Sequence, residues 1–375
     1  MRVLFDGTTL CGPDGGPGAG IEHYTSSLLF ALAKESPQDT FFVSVSSFYP
    51  SKQLERISGN FKNIIFLSAF FPRIPFVSRH LLLPLRAASV RPDLFFSPFG
   101  QLPLAWRGKS VITVHDMAIY DHPEWFASET VNSWTTRTIV PRSIEKTNAI
   151  ITVSGETETR VHAHLPNTHQ KTHVVYEGVT LGNQKEISSH DRFPFDRDYV
   201  LFLGTIEPRK NLSNAFRAFA HFLDDHPEQK KSLRFIVAGK RGWNTQETES
   251  VAKEVGQETI QFLGPVTEEE KWCLLSGAAC LLFPSLHEGF GLPILEAMSV
   301  GTTVITTARG AIPEVGGDAV IYVEPEDIEA MSFAIAQCVL VPQGTQYLRE
   351  EGYRRATTFT WQETAKKTLA VLRLV

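Results

Sequence analysis

The sequence predicts an α/β protein of two doubly wound domains, each a parallel sheet with helices on both faces. Three observations lead to this prediction. The length of 375 residues is about twice that of a usual single domain. The hydrophobic content of 42% supplies apolar side chains for two cores. Short apolar runs rich in strand-forming residues alternate with amphipathic stretches along the whole chain, which is typical of parallel sheets.

The short apolar runs are predicted as strands. They cover residues 3–5, 41–45, 64–67, 94–97, 111–114, 149–153 and 173–175, and then 199–203, 234–238, 260–262, 280–283, 303–306 and 319–322. A helix is predicted over residues 20–33. The polar stretch 184–198 lacks an apolar face and is predicted as the linker between a first domain, 1–183, and a second, 199–359. The capping-box pattern Thr360-Trp-Gln-Glu363 predicts a last helix over 360–375, expected to complete the first domain.

Composition argues against several classes of protein. With 36 basic and 41 acidic residues the net charge is −5, so broad electrostatic capture of nucleic acid is not expected. The four cysteines have no paired or metal-ligand spacing, which disfavours a disulfide framework or a structural zinc. An acidic residue follows Met1 too early for a signal peptide, and no apolar run is long enough to span a bilayer. The expected location is the cytoplasm.

A glycine-rich loop follows the first predicted strand. Gly16, Gly18 and Gly20 stand at its end, directly before the first helix. Bare backbone amides in such a loop can approach a phosphate, although a surface loop without a ligand remains an alternative. Two prolines interrupt the loop, so it does not match the dinucleotide pattern G-x-G-x-x-G. A nicotinamide-dependent oxidoreductase is therefore disfavoured.

Charged residues follow the predicted strands at two further places. His115 and Asp116 end the strand 111–114, at the sheet edge where open α/β folds bind ligands. In the second domain, Gly204 follows the predicted strand 199–203, and Arg209 and Lys210 come later in the same loop, before the next helix. Arginine can fork onto two phosphate oxygens while lysine supplies a compact charge, so this pair suits a diphosphate; exposed surface charge is the alternative.

The segment Phe283–Met298 combines most of these features. A strand leads into a loop that carries Glu288, and Pro293 is predicted as the first residue of a helix that carries Glu296. Both carboxylates are expected to border one pocket. Paired acids also occur in glycosidases and metal sites, but the helix N-terminus between them favours an anionic ligand.

These motifs, in this order, resemble a retaining glycosyltransferase of family four, and in particular bacterial polysaccharide mannosyltransferases. The resemblance rests on E-x7-E at Glu288 and Glu296, on Gly-x4-Arg-Lys-Asn from Gly204, on the glycine-rich loop and on His115-Asp116, and it runs from Gly12 to the last helix. It implies the GT-B fold, in which two Rossmann-like domains face a central cleft. The sequence departs from many relatives by having Glu22-His23 where they have Gly-Arg, and Thr205 where they have arginine.

The resemblance implies roles for individual residues. Arg209 and Lys210 would hold the donor diphosphate, Glu288 would contact the donor sugar, and His115 would bond a sugar hydroxyl. Glu296 would accept hydrogen bonds from the ribose. The further donor-binding positions that it implies are Gly16, Gly18, Gly20, Gly204, Pro265, Val266, Gly289, Phe290, Gly291 and Leu292.

The implied reaction moves a hexose, mannose from GDP-mannose, to a saccharide or lipid-linked saccharide acceptor in cell-surface polysaccharide synthesis. The nucleotide sugar is a substrate, and neither a cofactor nor a metal is expected. The D-x-D pattern at Asp196 and Asp198 lies in the predicted linker and is weak support for a metal. A UDP- or other NDP-sugar donor with a small-molecule acceptor, and a non-catalytic nucleotide-sugar binder, are the alternatives.

The segment Phe70–Arg91 is apolar and basic, with four arginines and no acid. Such a segment can rest on the anionic inner face of the plasma membrane, near a lipid-linked acceptor. Three prolines interrupt its amphipathic pattern, so a buried helix is an equal alternative. In the membrane interpretation Arg73 and Arg79 are expected to face the lipid.

Overall fold

The computed structural model describes residues 1–10, 20–46, 61–70, 74–182, 198–256 and 258–375. The chain divides into two compact units. The first consists of Met1–Met117, Glu129–Gly178 and Trp361–Val375, and the second consists of Ala118–Ser128 and Val179–Thr360.

The first unit contains a seven-stranded parallel sheet. Its strands are β1 (Arg2–Asp6), β2 (Thr40–Ser46), β3 (Ile64–Phe70), β4 (Leu94–Ser97), β5 (Ser110–Val114), β6 (Ala149–Thr152) and β7 (Thr172–Val174). They lie in the order β3-β2-β1-β4-β5-β6-β7. The chain therefore builds outward from β1 to one side and then from β4 to the other, which is the doubly wound topology with its switch point between β1 and β4.

Among its described residues this unit has seven α-helices, of which those with a buried apolar face pack on the sheet. The seven are α1 (Ile21–Glu35), α2 (Pro75–Val77), α3 (Leu83–Val90), α5 (Ser128–Val131, at the unit boundary), α6 (Val140–Lys146), α7 (Gly155–His164) and α15 (Trp361–Leu374), with π-helical turns at Ser78–Leu82 and Thr135–Ile139. In α1 the buried residues Tyr24, Leu28 and Leu32 recur at helical spacing. The last helix, α15, packs against α1 and buries Leu369 and Leu372.

The second unit contains a six-stranded parallel sheet. Its strands are β8 (Asp198–Leu203), β9 (Leu233–Ala238), β10 (Ile260–Gly264), β11 (Cys280–Phe283), β12 (Val304–Thr306) and β13 (Ile321–Tyr322). The order β10-β9-β8-β11-β12-β13 repeats the doubly wound pattern, here with the switch point between β8 and β11. The buried pattern of these strands follows from their near-continuous apolar sequences, as expected for a sheet covered on both faces.

The helices of the second unit are α4 (Ala118–Asp121), α8 (Leu212–Asp225), α9 (Gln246–Val255), α10 (Glu268–Gly277), α11 (Leu292–Ser299), α12 (Ile312–Gly316), α13 (Ile328–Leu340) and α14 (Gln346–Ala356). The α8 helix buries Phe216, Phe219 and Phe222. Phe216 and Phe219 meet Phe235 of β9 edge-to-face, with ring centroids 5.2 and 5.4 Å apart. Aromatic packing of this kind stabilises the contact between α8 and the sheet.

The observed boundaries differ from the predicted ones at several positions, among them Thr360, which was expected with the first domain and groups with the second unit. Residues 118–128 were expected in the first domain but group with the second unit, where Trp243 Nε1 donates a hydrogen bond to the Trp125 carbonyl over 2.7 Å. Val179–Gly182, also expected in the first domain, group with the second as well. Asp198 was expected in the linker but begins β8, paired with Leu233 of β9. The rest of the predicted linker, 184–197, lies outside the described residues.

The predicted strands are all present, with ends that move by a few residues. The shortest is β13, which spans Ile321–Tyr322 where residues 319–322 were predicted. The last helix begins at Trp361, directly after the Thr360 of the predicted capping box. Within the described part of the chain, no helix combines the length and the apolar character that crossing a bilayer requires.

Candidate active site

The charged motif of the second unit lies at its topological switch point. β8 and β11 are neighbouring parallel strands, so their carboxyl ends meet at one edge of the sheet. Arg209 and Lys210 follow β8, and Glu288 follows β11. Open α/β sheets bind ligands at this position, because the loops after the two strands diverge there and leave a crevice.

The loop after β8 is fixed by close backbone contacts. Gly204 has φ +149°, and a Cβ added to Gly239, the residue after β9, would lie 1.9 Å from the Gly204 carbonyl oxygen. Only glycine fits at position 239. Pro208–Lys210 then form a 3₁₀ turn, and the Leu286 amide donates to the Arg209 carbonyl over 2.8 Å, which ties this turn to the loop after β11.

Two acids neutralise the two cations of this motif. Lys210 Nζ lies 2.5 Å from Glu288 Oε1, and Arg209 Nη1 lies 3.0 Å from Glu288 Oε2. Arg209 Nη2 lies 2.6 Å from Oε1 of Glu207. Lys210, Glu207 and Glu288 are buried, so each charge requires its partner. The sequence motif is thus a preassembled charge cluster and not exposed surface charge.

The ionisation of this cluster follows from its contacts. Burial alone would raise the pKa of Glu288, but the positive charges of Lys210 and Arg209 lower the pKa to about 2. The Glu288 carboxylate is therefore charged at neutral pH and holds both cations in place.

Lys210 is better placed than Arg209 to donate hydrogen bonds to a ligand. Arg209 uses four of its five N–H groups, two of them on Glu207, one on Glu288 and one on the His287 carbonyl. Among the described residues the Lys210 ammonium donates to Glu288 alone, so two of its three protons remain available for a phosphate. Lys210 also lies over the Phe283 ring, 4.9 Å from its centroid.

Glu296, the second acid of E-x7-E, has a different cationic partner. Its Oε1 lies 2.6 Å from Nζ of Lys271, a residue of α10. Burial lowers the pKa of Lys271, but the charges of Glu296 and Glu268 outweigh burial and raise it. A capping box of Thr267 and Glu270 begins α10 and so positions Lys271 on its first turns.

The α11 helix begins one residue earlier than predicted. Leu292 is its first residue and Pro293 its second, and Gly291, with φ +101°, is the N-cap. Gly289 and Phe290 are buried, and the Phe290 ring packs edge-on against Phe359 at 6.0 Å. Phe290 thus contributes its side chain to the core, and any contact with a donor falls to its backbone.

The remaining donor-binding predictions have different positions. Pro265 and Val266 lie in the turn between β10 and α10, where Pro265 is exposed. Gly20 is the N-cap of α1 in the first unit. Gly16 and Gly18 lie outside the described residues.

In the first unit, His115 is held at both ring nitrogens. Nε2 lies 2.7 Å from the Pro98 carbonyl oxygen, and Nδ1 lies 3.1 Å from Glu177 Oε1. Both partners are acceptors, so the two contacts together favour the doubly protonated, positively charged form of the ring. Burial lowers its pKa, but the bond and charge of Glu177 outweigh burial and raise it above the usual value.

The environment of His115 adds a packing constraint. The fully buried Tyr24 ring meets the imidazole edge-on, with centroids 4.6 Å apart, and its hydroxyl lies 3.2 Å from Thr113 Oγ1. To donate a hydrogen bond to a sugar hydroxyl, His115 must therefore give up its hydrogen bond to either the Pro98 carbonyl or the Glu177 carboxylate. With both partners retained, it can still act on a substrate through its positive charge.

Replacing Glu177 with glutamine is expected to lower the pKa of His115, because burial remains while the negative charge is removed. Because the His115 pKa is raised in the folded state, the Glu177 interaction stabilises the protein below the unfolded pKa of 6.5, and this contribution is lost as the pH rises through the raised value. NMR titration of the His115 Cε1–H signal measures the change. Glu124→Gln, beside the exposed His122, is the matched control and should leave the His115 titration unchanged. An unchanged His115 titration in Glu177→Gln would contradict the role given to this pair.

Sequence reasoning missed Lys271, Glu207 and Glu177. Glu177 had the same signal as His115, a charged residue just after a strand, here β7. Lys271 could have been placed on a helix by the Thr267 capping box, but its contact with Glu296 depends on how α10 and α11 pack.

Comparison with known proteins identifies the family. Residues 18–182 match the model of "Glycosyltransferase Family 4", and residues 183–355 match that of "Glycosyl transferases group 1". The chain belongs to the family-four glycosyltransferases. This glycosyltransferase is 28% identical, over 96% of its own length and 97% of the relative's, to O-antigen chain mannosyltransferase B of Escherichia coli. An O-antigen chain mannosyltransferase of Salmonella typhimurium is 25% identical over 62% of the chain and 61% of that relative.

Solved structures share the fold of this glycosyltransferase. Sucrose-phosphate synthase from Thermosynechococcus elongatus superimposes with a TM-score of 0.76 at 18% identity, covering 100% of this chain and 98% of that one. Anabaena HepE, in complex with UDP and glucose, gives 0.74 at 18% identity, with both chains covered completely. The prediction of a GT-B fold with two Rossmann-like parallel sheets is confirmed.

Proposed function

We propose that this enzyme transfers mannose from GDP-mannose to a saccharide or lipid-linked saccharide acceptor during synthesis of a cell-surface polysaccharide. The observation that carries the proposal is the buried cluster of Arg209, Lys210 and Glu288 at the switch point of the second unit. The departing nucleoside diphosphate carries negative charge, which positive charge already in place at the site stabilises. The Lys210 ammonium can supply it, because two of its three protons remain available to donate to the diphosphate.

The choice of mannose rests on the relatives. O-antigen mannosyltransferases from two organisms match this chain, one of them over nearly its whole length. A UDP-sugar donor is the second candidate, because a protein of the same fold, Anabaena HepE, has been solved in complex with UDP-glucose.

Thermal-shift measurements with GDP, UDP, ADP and dTDP test the donor. A nucleotide that binds only the folded protein raises Tm, and the largest increase is expected with GDP. Glu296→Gln should reduce this increase, because a neutral amide is a weaker acceptor for ribose hydroxyls than a carboxylate. Glu324→Gln, which changes an exposed acid of the same unit, is the control. A larger increase with UDP than with GDP would overturn the GDP-mannose assignment.

The proposal includes retention of the anomeric configuration and transfer without a metal. Arg209 and Lys210 supply the charge that a divalent cation supplies in other sugar transferases. NMR of the first product formed from GDP-α-mannose is expected to show an α-linkage, and turnover should survive EDTA. A β-linked product or full loss with EDTA would contradict these points.

The proposed location is the cytoplasm, with peripheral contact at the inner face of the plasma membrane. The acceptor is the reason for the contact, because a growing polysaccharide on a lipid carrier is confined to the membrane surface. Fractionation of cells that express the enzyme would test this location, with the protein divided between the cytosolic and the salt-extractable membrane fractions.

A further inference from the structure

An exposed apolar surface lies on the first unit, on the helical segment that begins at Ile74. Val77, Leu81 and Leu85 recur every fourth residue and are 39%, 49% and 71% exposed. This spacing places them along one side of the segment. Folding therefore leaves a row of large aliphatic side chains in water, which soluble proteins usually avoid as a contiguous patch.

Two aromatic rings extend this row. Phe76 and Trp134 are 47% and 51% exposed, and their ring centroids lie 5.6 Å apart. Phe76 also meets the His80 ring at 4.5 Å, and His80 Nδ1 accepts the Leu104 amide, which brings the exposed Leu104 beside them. We call this set, Ile74, Phe76, Val77, Leu81, Leu85, Leu104 and Trp134, the apolar surface.

Positive charges outnumber negative ones on the segments that carry the apolar side chains, 74–91, 104–109 and 128–139, in which Glu129 is the acid. Arg86, Arg107 and Arg137 are exposed and belong to the same segments as the apolar side chains. Arg107 also contributes, after burial, to lowering the pKa of Lys146, so cations are close enough here to repel one another. Between residues 70 and 115 the sequence has a single acid, Asp93, whose Oδ2 accepts the Arg2 amide.

The structure changes which arginines belong to this surface. Arg79 was expected to face lipid, but its side chain is 14% exposed, and Nη1 lies 3.4 Å from the buried Asp6 carboxylate. Its guanidinium lies over the Phe99 ring at 4.5 Å. The prediction for Arg79 was therefore wrong, because the carboxylate of Asp6, buried at the end of β1, requires a cation. Arg73 lies outside the described residues.

We propose that the apolar surface and its three arginines dock the enzyme on a bilayer that contains anionic phospholipid. Aliphatic and aromatic side chains enter the boundary between headgroups and acyl chains, and the arginines pair with headgroup phosphates. A protein partner would need acids that complement this surface, whereas an anionic bilayer supplies both the apolar and the negative component. The functional reason for docking rests on the proposed lipid-linked acceptor, although the contact itself does not.

Flotation with vesicles tests the proposal. The enzyme is expected to float with vesicles that mix phosphatidylglycerol with phosphatidylcholine, and to remain unbound with phosphatidylcholine alone. Each arginine near the surface contributes about 1 kcal/mol, so Arg86→Glu with Arg137→Glu should lower the partition coefficient at least about 25-fold. Leu81→Ser with Leu85→Ser should lower it even at low salt, where charge attraction is strongest.

Matched controls come from the second unit. Phe333→Ser removes a side chain that is 66% exposed, and Lys231→Glu reverses an exposed charge; both variants should float as the parent does. Equal flotation of all variants, flotation with neutral vesicles, or no flotation at all would overturn the proposal. A dimer without vesicles that Leu81→Ser with Leu85→Ser dissociates would instead assign the surface to a second copy. The GDP-induced rise in Tm, measured on the same samples, tests the proposed function separately.

Discussion

Replacing Lys210 with alanine is expected to lower kcat/KM for sugar transfer by about 10²–10³-fold, the usual loss when one preorganised donor to a developing negative charge is removed. Lys210 is the cation of the cluster with more protons left for the ligand, because Arg209 spends four of its five on protein acceptors and Lys210 one of its three. The effect should appear in kcat as well as in KM, since the charge on the leaving diphosphate grows as the bond breaks. Steady-state release of GDP in the presence of acceptor measures it.

A structural explanation of the same result has to be excluded. Lys210→Ala leaves the buried Glu288 with Arg209 as its remaining cationic partner, and breaking a buried pair costs about 3–5 kcal/mol. The double variant Lys210→Met with Glu288→Gln removes both charges and should recover much of the lost stability while remaining inactive. Lys231→Ala, an exposed lysine of the same unit, should leave turnover unchanged. Near-parental turnover in folded Lys210→Ala would contradict the site assignment.

Glu288→Gln is expected to reduce both stability and transfer at neutral pH. The substitution keeps the shape of the side chain but removes the charge that holds Lys210 and Arg209. The pKa of Glu288 is about 2 in the folded protein, below the 4.5 of a solvated glutamate in the unfolded chain. A carboxyl group with a lowered pKa stabilises the folded state above its unfolded pKa, and that stabilisation disappears as the pH falls through the folded value.

The difference in unfolding free energy between parent and Glu288→Gln should therefore be constant above about pH 5 and shrink as the pH falls towards 2. Denaturant unfolding at a series of pH values measures it. Glu324→Gln breaks an exposed pair with Arg309 and should change stability little at any pH, because solvent screens that pair. A parent and a Glu288→Gln variant of equal stability at pH 7 would show that the cluster does not hold the folded site together.

Much of the fold could be predicted because its signals are local. A buried parallel strand needs a short apolar run, and these runs located every strand of both sheets. The domain boundary around residues 118–128 was predicted wrongly, because it depends on a long-range contact. Residues 118–128 belong to the second unit because Trp125 and Phe126 contact Trp243, about 120 positions along the chain.

Part of the candidate site could also be predicted from the local sequence. A charged residue in the loop after a buried parallel strand lies near the ligand-binding edge whatever the rest of the fold does, so the sequence could place His115, Arg209, Lys210 and Glu288 at that edge, while their roles stay a prediction. The surface arginines could not be placed in this way, because the direction in which a helical side chain points depends on what packs beneath it. Arg79 turned inward to the buried Asp6 for that reason.

The sequence by itself determined two doubly wound units, the strand ends that carry charge, and membership of a glycosyltransferase family. Only the tertiary structure decided the pairing of those charges: Lys210 and Arg209 with Glu288, Lys271 with Glu296, and His115 with Glu177. Apolar periodicity depends on residues that are close together in the sequence. The ion pairs His115–Glu177 and Arg209–Glu288 instead join side chains that are 62 and 79 positions apart. A buried charge requires an oppositely charged partner, and the packing of neighbouring loops and helices determines which residue is that partner.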